Sequence, residues 1–139
     1  MTRPSALRVL IAIGSVALGL IHLRLYFTTY RDVPIQNLGR SFLLNAAVAA
    51  VAAVVVLVVA TRWAPLAPLV VANATLIAFG LSRTDRGIMG FTERGWTPTP
   101  DAALAVGIEI VTAVLCVAAL ATADFTGREA PRTGTDGTP

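Results

Sequence analysis

The chain has 139 residues, 55% of them hydrophobic and 14% charged, with a mean hydropathy of +0.73. Apolar runs this long exclude an ordinary soluble domain and support one membrane domain. The net charge of +3 comes from 11 arginines and no lysine; they lie at segment ends, in loops and in the tail, which fits interface anchoring and excludes a phosphate-binding patch, so nucleic acid is not a predicted partner. A single cysteine, Cys116, excludes a disulfide framework and a CxxC motif.

A short basic start, with Arg3 and Arg8, leads into a first helix predicted over about residues 8–29. A signal peptide ending at Ser15 and Ala17 would have too short an apolar region, so the segment is read as a retained helix. Ser15, Gly19, His22 and Tyr26 fall on one face of it, and Arg24 on another. Ser15 and Gly19 form a small-xxx-small pair that admits a close neighbour. Tyr26, Phe27 and Tyr30 read as an interfacial aromatic belt before a polar connection. The second helix, about 40–61, carries Phe42, Asn45, Ala49, Ala52 and Val56 on its packing face. Arg62 to Pro65 form a tight turn that makes the second and third helices an antiparallel hairpin.

The third helix is predicted over 65–82, with Leu66, Leu69, Asn73, Leu76 and Gly80 on one face and Pro68 tolerated in the first turn. Residues 83–100 form the longest connection, either folded over the end of the bundle or lying as a short interfacial segment. In the last helix, about 101–123, Ala102, Ala105, Glu109, Thr112 and Cys116 share a face, and Asp101 acts as N-cap or sits against the helix dipole. Residues 124–139 lack apolar periodicity and are predicted to be a disordered polar tail, leaving 1–123 as the membrane domain.

The predicted fold class is therefore all-α: an integral membrane up-down four-helix bundle, with both termini and the Arg62 turn on one face and the two longer connections on the other. Arginines are nearly balanced between the faces, and the basic start before the first span directs the termini to the cytoplasm. His22, Asn45, Asn73 and Glu109 all fall in the loop-side half, Glu109 roughly 12 Å along its helix at ~1.5 Å per residue. Together they predict a polar layer.

Buried asparagines commonly bond across membrane helices, each contact giving on the order of 0.6 to 2 kcal/mol, and this is the structural reading for Asn45 and Asn73. A carboxyl group in hydrocarbon must be neutralised, paired or hydrated, with His22 or Arg24 as the expected partner of Glu109. Bis-histidine haem would require a dimer with His22 from each copy, or another ligand, and His22, Glu109 and Cys116 are too few ligands for a metal site. No cofactor is assigned. With no nucleophile and base, no phosphate loop and no paired carboxylates, nothing points positively to an enzyme; lipid head-group chemistry through Asp32 and Glu93 ranks last. The leading reading is an accessory or interaction subunit, docking in the bilayer to a second copy or to a larger membrane complex through alanine-rich faces and surface arginines. The alternative is a ligand, metal or proton site built from His22, Tyr26, Asn45, Asn73 and Glu109.

Ile21-His22-Leu23, Tyr26, Tyr30, Pro34, the run GRSFLLNA from Gly39 to Ala46, Leu81-Ser82-Arg83, the run GIMGFTE from Gly87 to Glu93, Gly95-Trp96 and Glu109 together resemble a group of small, uncharacterised four-span membrane proteins of actinobacteria. The resemblance covers nearly the whole chain except its tail and brings no activity with it. It implies a bacterial inner-membrane protein. It also implies that the connection carrying Phe91, Glu93 and Trp96 belongs with the polar layer as its lid.

Overall fold

A computed structural model describes residues 5–35 and 37–122. Four α-helices make up the fold, and no strand occurs among the described residues: α1 Ala6–Leu25, α2 Leu38–Val58, α3 Leu66–Ser82 and α4 Asp101–Ala121. α1 runs on through a π-helical turn, Tyr26–Tyr30, in which the Arg31 N–H donates to the Tyr26 carbonyl at 2.9 Å. The predicted tail, 124–139, lies outside the described residues.

Ser5 caps α1, its hydroxyl accepting from the Arg8 N–H at 3.4 Å. Of the two roles expected for Asp101, the second holds: Pro100 takes the cap position, and Asp101 is the first helical residue. There its charge opposes the positive end of the helix dipole. Its carboxylate also accepts from Arg24 Nε at 2.9 Å. Arg24 is thus engaged at the bundle end and is not the partner of Glu109.

Contacts at opposite helix ends fix the up-down order. Arg8, near the start of α1, reaches the end of α2, while Arg24, near the end of α1, meets the start of α4. The helices form a ring in chain order, closed by α4 on α1, with α2 and α3 the loosest adjacent pair. Gly19 sets the α1–α2 approach, since a Cβ there would lie 3.2 Å from the Ala46 carbonyl oxygen. Gly14 does the same for α1 and α4, where a Cβ would come within 2.5 Å of Thr112 Oγ1. Ile11, Val56, Ala64, Cys116 and Ala119 close the terminal-side half with a dry core.

The outer surface is apolar along its length: Ile13, Leu20, Leu44, Val51, Val58, Val70, Ile77, Val111 and Val114 are each more than half exposed. Such a continuous collar is stable only against lipid. Three helices are long and apolar enough to cross a bilayer: α1 with its π turn (25 residues), α2 (21) and α4 (21). α3, at 17 residues, is shorter. The chain is a membrane protein. Its 83–100 connection folds back over the bundle end, with Ile88 and Phe91 exchanging backbone hydrogen bonds and the Glu93 N–H donating to the Ser82 carbonyl at 2.9 Å.

Candidate functional site

His22 sits on the inner face of α1, 7% exposed, and Nδ1 lies 3.0 Å from the Leu18 carbonyl of the preceding turn. A carbonyl only accepts, so Nδ1 carries a proton and Nε2 is turned toward α4. There it meets Glu109, 2% exposed, with Oε1 3.6 Å away. At that separation the two groups face each other without a tight hydrogen bond. Glu109 Oε2 and, on α2, Asn45 Oδ1 are buried with no hydrogen-bond partner. Each orphaned acceptor costs about 1–3 kcal/mol unless something else satisfies it.

These groups line a cavity of about 430 Å³ in the loop-side half of the bundle. Thr75 of α3 joins them, while Phe42, Phe79, Tyr30 and Phe91 supply aromatic walls. The Tyr30 ring lies flat on Phe42, centroids 4.3 Å apart, and meets Phe91 edge-on. At the mouth the Tyr30 hydroxyl donates to Glu93, whose carboxylate oxygens stand 2.9 and 2.8 Å away. Arg83 Nη1 donates to the same carboxylate at 3.0 Å. The other Arg83 donors hold the connection itself, through the Gly95 and Thr97 carbonyls at 2.8 and 2.7 Å. A neutralised acid and base thus tie α1, α3 and the connection together over the cavity.

Of the residues singled out in the sequence, His22, Asn45, Glu109, Phe91 and Glu93 all line this cavity. Trp96 does not line it but leans on Phe79, which does, at 5.6 Å. Tyr26 is turned away, packed against Phe27 and the backbone at Gly39. Asn73 is a correction: it is exposed, and its Nδ2 donates to the Leu69 carbonyl of its own helix at 2.8 Å. The inward face of α3 is instead the row Pro68, Ala72, Thr75, Phe79 and Ser82.

Tyr30, Thr75 and Arg83 were missed as site residues. Thr75 was legible as a member of that 4,3,4,3-spaced row, and Tyr30 as four residues beyond Tyr26. Among the described residues no three of His, Cys, Asp and Glu converge as a metal site would require. Cys116 lies in the terminal-side core, away from His22 and Glu109.

Comparison with known protein families, curated proteins and solved structures finds no match. The site is read from its own chemistry. Two of its buried acceptors, on Glu109 and Asn45, are unsatisfied, its walls are largely apolar, and its mouth is held by a neutralised ion pair.

Proposed function

We propose that this is a ligand-binding protein of the bacterial inner membrane, a member of the small four-span actinobacterial group it resembles, with cytoplasmic termini and a small ring-bearing molecule as its ligand. One observation carries the reading: the orphaned acceptors of Glu109 and Asn45 sit on the wall of an aromatic cavity of about 430 Å³. That volume lies in the ordinary range for small-molecule sites, and a few convergent polar groups in an apolar pocket are what such sites present. Intramembrane carboxyl groups carry function by default.

Ala49, Ala52 and Ala53 are buried within the bundle, while Ala47, Ala50, Ala103 and Ala118 stay on the outer surface, so docking through outer alanines and surface arginines to a second copy or a larger complex is the second reading. The test is native mass spectrometry, absorption spectroscopy and elemental analysis on protein purified in mild detergent. Wild type, His22→Ala, Glu109→Gln and Ala105→Trp, whose indole would fill the cavity, are compared. A small molecule bound to wild type and lost in Ala105→Trp is the expected result. Wild type empty of any small molecule, but with a protein partner retained by all variants, would reverse the ranking.

A further inference from the structure

We infer that the ligand is a primary or secondary amine with an apolar, ring-bearing body, reaching the cavity from the lipid between α2 and α3. The inference rests on the cavity being a ligand site, and three observations narrow it to an amine.

The first is the sign of the hydrogen-bonding groups. Glu109 Oε2 and Asn45 Oδ1 have no partner. With Nδ1 facing the Leu18 carbonyl, His22 turns Nε2 toward Glu109. A ligand that satisfies the two orphaned acceptors brings donors, and an ammonium brings two or three on one atom. The second is charge. Glu93 and Arg83, 3.0 Å apart, cancel each other at the mouth. Among the described residues Glu109 is the other acid lining the cavity, so its carboxyl group is placed to complement one positive charge. Phe42, Phe79 and Phe91 line the cavity and suit a ligand with an apolar, ring-bearing body.

The third observation is access. Leu44 and Val48 of α2 and Val70 and Ala74 of α3 edge the cavity and are exposed on the outer surface. The opening faces the level where lipid chains lie, so a membrane-partitioned amphiphile enters without crossing the loop-side latch.

The test uses wild-type protein in phosphatidylcholine nanodiscs, with equilibrium binding of naphthylethylamine, its trimethylammonium analogue, naphthylethanol and naphthylacetate. The amine should bind best, and Glu109→Gln should weaken it by about tenfold to a hundredfold, the loss of a charge-assisted hydrogen bond, and erase the preference for amine over alcohol. Thermal unfolding of the variant in the same nanodiscs reports that it is folded. An alcohol or quaternary analogue bound as tightly as the amine by wild type overturns the amine class but leaves the cavity as a ligand site. Failure of all four ligands overturns the amine class too. The cavity reading falls with it only if native mass spectrometry also finds wild type empty.

Discussion

Arg8 shows how an isolated residue misleads when only its position in the chain is known. A basic residue at the start of an apolar helix reads as an interfacial anchor, yet Arg8 is 7% exposed. Its Nε donates to the Val56 carbonyl at 2.9 Å, and Nη2 to those of Leu57 and Val59 at 3.1 and 3.0 Å. Val56 and Leu57 present last-turn carbonyls of α2 and Val59 is its C-cap; last-turn carbonyls lack partners within their own helix and carry the negative end of its dipole. Arg8→Ala is therefore expected to cost about 2–3 kcal/mol, measured by thermal or denaturant unfolding in detergent. Arg8→Lys should recover only part, because an ammonium lacks the planar fork that reaches several acceptors at once.

Gly14 is the opposite case, a residue whose importance is its lack of a side chain. Gly14→Ala should destabilise by about 1–3 kcal/mol through overpacking on Thr112. Adding Thr112→Ala should restore most of the loss; an unrelieved double variant would mean that the crossing is set elsewhere.

At the level of elements, helix existence was legible because apolar runs bounded by arginine, proline and glycine leave few alternatives. The α3 and α4 starts fall within a residue of expectation, and α2 ends at Val58 rather than near 61. The inward face of α3 was not legible. That helix is apolar nearly all round, so two rows of similar spacing compete, and Asn73 drew attention to the wrong one. His22, Asn45 and Glu109 were legible as site candidates because polar groups in hydrocarbon are conspicuous.

The latch of Tyr30, Glu93 and Arg83 was not legible, because it depends on how a long connection folds back. It also depends on the π turn, which carries the end of α1 far enough for Tyr30 to stack on Phe42. Tyr30→Phe keeps that stacking and removes both hydroxyl contacts with Glu93. Faster amide exchange is expected in residues 83–97, with the α1 and α4 cores unchanged. Unchanged exchange in the connection would mean that Arg83 alone holds it.

For the molecule as a whole, the bundle is asymmetric along its axis: a dry core closes one half and a cavity hollows the other. The proposed orientation puts the hollow half outside the cytoplasm. It predicts that Arg94→Cys, in a Cys116→Ala background, is labelled by a membrane-impermeant maleimide in intact cells. Labelling only after lysis would invert the topology.

The short α3 bears on this asymmetry. Its 17 residues span about 25 Å at ~1.5 Å per residue, less than the ~30 Å hydrocarbon thickness of a typical bilayer. This hydrophobic mismatch falls beside the opening between α2 and α3, where the surrounding lipid must thin or the helix ends must draw head groups inward. On the proposed lipid-side entry route, acyl-chain length in the host membrane is expected to act on the cavity: thinner bilayers relieve α3, and thicker ones load their strain onto the seam between α2 and α3.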